Sequence, residues 1–382
     1  MTATTDALCA QMRSLGADVL SRDVDARDLR GAKDAADWRP LWDAGAQAGV
    51  LKLVLPERYG GLALPALDAV RVLHALGEGC RDNGMLLAFN GQLWAMQMSF
   101  LEFANDAQKA DLLPRLSAGD LICAHAVTEE TSGSDAGSIQ TRAEKIDGGY
   151  RLNGTKIWIG MAPAADIAQV FAVTDPAAGQ WGISAFIVDL KTPGVQITPA
   201  LDKAGHRTVP AGGITFDNAE IPETALLGQT GNGHAIFTRS IDLERRFIFA
   251  SHVGAMKRQI DEALAFAKTR APGGTPIMSH QTIQNRLAEM RMRYETSRLM
   301  IENAAREIDA RAESRLTAPM VKCHVAEAML ANALDAQRIY ASAGYVRGDS
   351  ERMVRDMSGA MTLGGTSDIQ RLLTAAYMKA GI

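Results

Sequence analysis

The spacing of hydrophobic and polar positions divides the chain into three blocks. Up to about residue 119, apolar residues recur every three or four positions, as from Leu8 to Val19, which predicts amphipathic helices. Between residues 120 and 222 the pattern changes to short β-rich runs separated by Gly, Pro and Asp, such as Ile167–Val173 and Ile183–Val188. From residue 223 to the end the helical period returns.

These blocks predict an α+β fold: an N-terminal helical domain (1–119), a middle antiparallel β domain built as a sandwich or barrel (120–222), and a C-terminal four-helix bundle (223–382). No helical pattern alternates with the strands, so a parallel doubly wound sheet is not expected. Within the middle block, residues 150–160 predict a strand, a turn at Asn153-Gly154 and a second strand. In the last block, the first helix is expected to run from Gly233 to Lys268.

Composition narrows the class of protein. Of 382 residues, 47% are hydrophobic and 22% charged, which is typical of a globular chain. The net charge of −4 gives no electrostatic basis for binding nucleic acid. No apolar run approaches a membrane span, and the first residues lack the pattern of a secretory signal. The four cysteines are far apart, so neither a disulfide framework nor a metal site is expected. We therefore expect a cytoplasmic protein with no membrane or nucleic-acid partner.

A search for catalytic motifs excludes several classes of enzyme. The chain has no phosphate-binding Walker loop, no G-x-S-x-G nucleophile elbow and no H-E-x-x-H metal motif. One positive feature is the segment Thr128–Asp135, which reads T-E-E-T-S-G-S-D and precedes the β block. Its small residues, hydroxyl groups and backbone amides suit a loop that holds a polar ligand, although an ordinary Ser/Gly turn has the same composition.

The second positive feature is a carboxylate in an apolar stripe. Phe237, Ile241, Glu244 and Ile248 follow a helical spacing that places them on one face. Burial in such a stripe raises a carboxyl pKa, which suits a general base that works near neutral pH. The alternative is that Glu244 only pairs with Arg245 or lies at the edge of the stripe, and the pattern alone does not choose between the two.

Several motifs in order resemble the acyl-CoA dehydrogenase family of flavoproteins over nearly the whole chain. The segment Thr128–Asp135 resembles the family signature T-E-P-x-A-G-S-D, with Glu130 in place of Pro, and Asn153–Ile159 resembles N-G-x-K-x-W-I. The C-terminal pattern of the family is matched by Gly344-Tyr345, Arg355-Asp356 and Gly365-Thr366.

The resemblance implies FAD bound between the β domain and the bundle and shared across a subunit interface, and therefore a homodimer or homotetramer. The residues that would line the flavin and the thioester are His125, Val127, Thr128 and Ser134, with Trp158 against the ring system and Gly160 near its reactive edge. The residues that would reach the pyrophosphate and adenosine are Arg270, Arg338, Thr366 and Asp368. Ser134, Asp242 and Arg245 would contact the substrate. Three positions depart from the family pattern, namely Gly160, Gly273 and Arg338. The departures at Gly273 and Arg338 weaken the expected adenine and pyrophosphate contacts, although Arg338 could supply charge in place of an amide.

The resemblance also bears on the catalytic base. Many members carry a glutamate where this chain has Gly364, whereas members similar to isovaleryl-CoA dehydrogenase place it in an Asp-x-Glu-Arg context, as in Asp242–Arg245 here. Glu244 would then take the α-proton of an acyl thioester while hydride leaves the β-carbon for flavin N5. The backbone NH of Gly364, with a flavin ribityl hydroxyl, would polarise the thioester carbonyl. The reduced flavin would pass its electrons to a separate acceptor, such as another flavoprotein.

Four hypotheses about function follow. The leading one is α,β-dehydrogenation of a short or branched acyl-CoA to the trans-2-enoyl thioester. A close alternative is dehydrogenation of an acyl group tethered to a carrier protein in a biosynthetic pathway. The others are a flavin monooxygenase on the same fold, against which the glutamate at the base position argues, and a partner subunit that completes the FAD site of another chain in a mixed tetramer.

Overall fold

The structure, a computed structural model, describes residues 3–381. Its N-terminal part contains seven α-helices: α1 (Ala3–Ser14), α2 (Val24–Arg30), α3 (Arg39–Gln47), α4 (Ala66–Gly79), α5 (Asn83–Gly91), α6 (Met98–Phe103) and α7 (Asp106–Ala118). A π-helical segment, Gln92–Gln97, joins α5 to α6 without a break. Helix α7 begins with a reciprocal cap between Asn105 and Gln108 and ends at Gly119, which has a φ of 82°.

The middle part is one eight-stranded sheet. Its strands are β1 (Cys123–Ala126), β2 (Arg142–Ile146), β3 (Gly149–Gly160), β4 (Ile167–Val173), β5 (Ile183–Asp189), β6 (Val195–Ile197), β7 (Ala211–Pro222) and β8 (Leu226–Leu227). The order is β6-β7-β3-β2-β4-β5-β8, with β1 also paired to β4. Neighbours are antiparallel, except that β1 and β2 run parallel to β4.

The predicted turn at Asn153-Gly154 is wrong, because β3 runs unbroken through both residues. The Asn-Gly pair instead lies at a shift in the register between β3 and β7. Gly154 has a φ of 144°, and a Cβ added there would lie 2.5 Å from Thr141 Oγ1. The glycine is therefore required by a bulge and by close packing rather than by a hairpin turn.

The C-terminal part is helical: α8 (Gly233–Phe247), α9 (Ala250–Thr269), α10 (Gln281–Ala310), α11 (Thr317–Tyr340), α12 (Ser342–Tyr345), α13 (Asp349–Ala360) and α14 (Ser367–Ala380). The prediction of a single helix from Gly233 to Lys268 is wrong, since the helix is interrupted between Phe247 and Ala250. The apolar period continues across this break, so hydrophobic spacing alone did not reveal it.

The N-terminal helices and the bundle share one hydrophobic core, while the sheet has a second core of its own. Helices α4 and α9 cross closely through glycines. A Cβ added at Gly77 would lie 1.7 Å from the carbonyl oxygen of Ser251, and one added at Gly254 would lie 1.9 Å from that of His74. In the part of the chain from residue 3 to residue 381, no helix is both long enough and apolar enough to cross a membrane.

Candidate active site

Glu244 lies on the face of α8 that turns toward the sheet and the C-terminal segment. Its side chain is only 15% exposed. Burial raises the pKa of the carboxyl to about 7, although the positive charges of Arg245 and Lys322 act in the opposite direction. A carboxyl with this pKa can accept a proton and release it again near neutral pH.

Gly364 lies directly beside this carboxylate. A Cβ added at Gly364 would be 3.3 Å from Glu244 Oε1. The turn is held from two sides, because the Gly364 carbonyl accepts hydrogen bonds from Arg245 Nε at 3.0 Å and from Gln370 Nε2 at 3.2 Å. The two positions that the resemblance offered for a base thus meet at one point, and only one of them carries a carboxylate.

His125 lies beside the same carboxylate. Its Nδ1 is 3.9 Å from Glu244 Oε2, and its Nε2 is 3.2 Å from Ser240 Oγ. The rings of Phe171 and Phe237 surround the imidazole, with centroids at 5.5 and 6.5 Å. Burial lowers the pKa of His125 to about 4, so the ring is neutral at physiological pH.

A buried ion pair fastens the polar loop that follows β1. Lys156 Nζ is 2.7 Å from Glu129 Oε1 and donates to the carbonyl of Val127 at 3.0 Å. Ile157 N donates to the carbonyl of Thr128 at 2.8 Å. Burial lowers the pKa of Lys156 to about 8, against the opposing charge of Glu129. Two of the motifs that carried the family resemblance, Thr128–Asp135 and Asn153–Ile159, therefore form one structural unit.

Trp158 is held outward by this unit. The side chain is 68% exposed, its φ is 60°, and the β3–β7 register shifts between Lys156 and Ile159. Strand packing, the ordinary explanation for a tryptophan here, therefore does not account for it. A Cβ added at Gly160 would meet nothing within 4 Å.

The same surface offers free hydrogen-bond donors. The NH groups of Gly133 and Ser134 have no acceptor among residues 3–381, and Ser134 is exposed. An exposed aromatic face, open space at Gly160 and unused backbone amides fit a flavin ring system with its polar edge. Val127 and Thr128, at the start of the loop, are half-buried beside them.

Of the residues expected near the FAD pyrophosphate and adenosine, the two arginines lie away from Glu244, whereas Thr366 directly follows the Gly364 turn. Arg270, at the end of α9, is exposed, and Arg338 pairs with Asp335 at 3.0 Å near the end of α11. Arg338 follows Lys322, which lies beside Glu244, by 16 residues on α11, so the two are about 24 Å apart along the helix. Thr366 caps α14 through Ile369 N, and Asp368 is exposed beside it. The structure thus does not bring the two arginines to the pocket of their own subunit.

Asp242 and Arg245, the expected substrate contacts, lie on different sides of α8. Asp242 Oδ2 accepts from Arg246 Nε at 2.9 Å, and Arg246 also binds Glu307 at 2.8 Å. Asp242 therefore belongs to an ion cluster turned away from Glu244. Arg245 instead holds the Gly364 turn.

Two residues of the site were not predicted from the sequence. Ser240 lies one turn before Glu244 and binds His125, and its position at i−4 could have suggested it. Lys322 is fully buried on α11 beside Glu244 and Arg245, and Nζ donates to the Met361 carbonyl at 3.4 Å. A lysine within the apolar period of a predicted helix was the available signal.

Comparison with known proteins identifies the family. Residues 2–120, 124–219 and 231–379 match, in order, the N-terminal, middle and C-terminal domains of acyl-CoA dehydrogenase. The chain belongs to the acyl-CoA dehydrogenase family. As a member it is an FAD-dependent oxidoreductase that acts on CH–CH groups and dehydrogenates acyl thioesters.

Individual relatives differ in the carrier of the acyl group. The L-prolyl-[peptidyl-carrier protein] dehydrogenase of Pseudomonas fluorescens is 37% identical over 340 residues, covering 88% of this chain and 90% of its own length. An acyl-CoA dehydrogenase of Bacillus subtilis is 36% identical over 334 residues, covering 87% and 88%. The solved structure described as PigA with FAD and proline superposes with a TM-score of 0.94 at 30% identity, covering 100% of this chain and 99% of that one.

Proposed function

We propose that this enzyme dehydrogenates a small acyl group, of the prolyl type, tethered as a thioester to a carrier protein, with Glu244 as the catalytic base. The observation that carries the role of Glu244 is its buried carboxyl, whose pKa is raised to about 7, next to a glycine at the other base position. The prolyl-carrier relatives support the substrate class.

In the proposed reaction, a carboxylate oxygen of Glu244 removes the α-proton, and a double bond forms between the α- and β-carbons. Bound FAD supplies the acceptor for the hydride that leaves the β-carbon. The thioester carbonyl must be polarised for the α-proton to become acidic enough. We assign that task in part to the backbone NH of Gly364, since Arg245 and Gln370 fix the turn from its carbonyl side.

The remaining residues hold the reactants. Trp158 and the amides of the Val127–Ser134 loop would hold the flavin, and His125 closes the pocket beside Glu244. Arg270 and Arg338 would contact FAD in a neighbouring subunit, because they lie at the far end of the bundle from Glu244. This arrangement requires a homodimer or homotetramer. A separate protein would take the electrons from the reduced enzyme.

A second candidate is the same reaction on a short acyl-CoA, which the 36% identical acyl-CoA dehydrogenase supports. The two are separated by presenting one acyl group both on CoA and on an acidic carrier protein. A carrier-protein enzyme should have the higher kcat/KM for the tethered group and lose that preference as salt rises, because electrostatic docking is screened.

Bleaching of the flavin absorbance on anaerobic mixing with acyl thioesters tests the proposed reaction. Glu244→Gln should keep FAD and slow flavin reduction by about 10²–10⁴-fold. Glu102→Gln, which removes a carboxylate paired with Arg239 on another face of α8, is the matched control and should reduce normally. Normal reduction in Glu244→Gln would remove this residue from the mechanism.

A further inference from the structure

His125 lies beside the Glu244 carboxylate with two aromatic side chains packed against it. His125 is 13% exposed at its side chain, with the edge of Phe171 and the face of Phe237 against it. The groups that line an acyl pocket select between acyl chains. A lone hydrogen-bonding group there discriminates strongly, because a substrate that does not satisfy it leaves it buried and unpaired.

The tautomer of His125 is linked to its hydrogen bond with Ser240. Ser240 Oγ lies 3.0 Å from the carbonyl of Phe237 and 3.2 Å from His125 Nε2, and it has one proton to donate. When that proton goes to the Phe237 carbonyl, Oγ accepts from Nε2, and Nε2 carries the ring proton. In a neutral imidazole the other nitrogen, Nδ1, then has a free lone pair.

This nitrogen lies beside the proposed base. Nδ1 is 3.9 Å from Glu244 Oε2 and has no hydrogen-bond partner among the described residues 3–381. An α-carbon that gives its proton to Oε2 must come into contact with that oxygen. A nitrogen bonded to such an α-carbon can then reach Nδ1, because Oε2 and Nδ1 are so close.

We propose that His125 Nδ1 accepts a hydrogen bond from an N–H group on the α-carbon, and that it selects α-aminoacyl thioesters, such as prolyl, over hydrocarbon acyl thioesters. This inference rests on the proposed function, because it takes Glu244 as the group that marks the position of the α-carbon. The inference adds His125 to that function as the residue that recognises the α-amino group.

The decisive experiment compares two substrates of the same shape. Prolyl pantetheine and cyclopentanecarbonyl pantetheine differ by one NH in the ring, so their kcat/KM ratio isolates the contribution of that group. The wild-type holoenzyme should prefer the prolyl thioester. In His125→Phe the ratio should fall by about 10- to 100-fold. His125→Gln, which retains an acceptor oxygen, should recover part of the preference.

A purely structural role for His125 would lower both rates equally and leave the ratio unchanged, which would overturn the proposal. Nitrogen-15 NMR of the histidine-labelled wild-type holoenzyme provides an independent test that does not depend on turnover. The signal that Ser240→Ala perturbs should show a protonated Nε2 and an unprotonated Nδ1 at neutral pH. A protonated Nδ1 would contradict the proposal even if the substrate ratio changed.

Failure of the proposed function gives a different result. If Glu244→Gln reduces its flavin normally with either thioester, the assignment of the base is wrong and the inference about His125 falls with it. If Glu244→Gln is inactive while the ratio in His125→Phe equals that of the wild type, only the role of His125 is refuted.

Discussion

Replacing Glu244, the base that we propose, should make the protein more stable, by an amount that grows with pH. Glu244 has a folded-state pKa of about 7 against an ordinary value of 4.5. The folded state therefore holds this proton more tightly than the unfolded chain does, so ionisation of Glu244 destabilises the fold as pH rises from 4.5 through 7. Above pH 7 the full cost is about 3 kcal/mol, from 1.36 kcal/mol for each pH unit between the two values. Glu244→Gln removes the carboxyl group, which otherwise has to ionise inside the protein.

Differential scanning fluorimetry of the holoenzyme at pH 5, 6, 7 and 8 measures this effect. Wild type and Glu244→Gln should melt within about 1 °C of each other at pH 5, and the variant should melt about 4 °C higher at pH 8, for an unfolding entropy of about 2.1 cal/mol/K per residue. A catalytic residue that lowers stability in this way is an example of the trade-off between activity and stability.

Glu129 is the matched control within the same chain. Burial raises its pKa, but the charge and hydrogen bond of Lys156 and the bonds from Thr141 and Gln140 outweigh burial and leave it lowered. A lowered carboxyl pKa stabilises the fold above the unfolded value, and that stability is lost only below it. Glu129→Gln should therefore melt lower than wild type at every pH from 5 to 8, and most at pH 5, because it leaves the buried ammonium of Lys156 without its partner. A difference for Glu244→Gln that stays constant between pH 5 and pH 8, or is negative at pH 8, would refute the reasoning about its buried charge.

Three further predictions concern the charge beside the base, the flavin wall and the assembly. Lys322→Met removes a positive charge that lowers the pKa of Glu244, so the acid limb of the pH profile for flavin reduction should move to higher pH. Lys203→Met, which removes a half-buried lysine bound to two backbone carbonyls, should leave the limb in place. Trp158→Ala should weaken FAD retention in gel filtration. The melting temperature of the FAD-free protein should change by less than about 1 °C, because an exposed ring contributes little to the core. A large loss of stability would indicate a packing role instead. Arg270→Ala should raise the Kd for FAD without changing the pKa of Glu244, and sedimentation that shows a flavin-loaded, active monomer would contradict the shared site.

The fold was predictable because its three parts differ in period. Helical spacing, short β-rich runs and helical spacing again gave the order of the domains, and the face of α8 that carries Glu244 followed from positions 237 to 248 alone. The two wrong predictions concern features that do not change the spacing of apolar residues. The break after Phe247 and the bulge at Gly154 both change the backbone without changing which residues are apolar.

The site itself was less predictable, because it is assembled from segments that are distant in the sequence. The burial of Glu244 could be predicted, since a carboxylate in an apolar stripe is visible in one helix. His125 and Gly364 were named only through the family resemblance, because they come from a strand and from the turn before α14, and Lys322 on α11 was missed. Only tertiary packing brings these four residues together, and hydrophobic spacing does not show how the helices and strands pack against one another.

The same packing explains how one family fold can change its substrate without moving its base. Glu244 and the Gly364 turn are fixed by contacts within the bundle, through Arg245 and Gln370. His125 is attached to the sheet and meets the bundle at Phe237, Ser240 and Glu244. In the mechanism that we propose, proton abstraction and recognition of the α-substituent are therefore carried by different domains, so a substitution on β1 can alter which acyl group is accepted while the geometry of the base and the thioester carbonyl is retained.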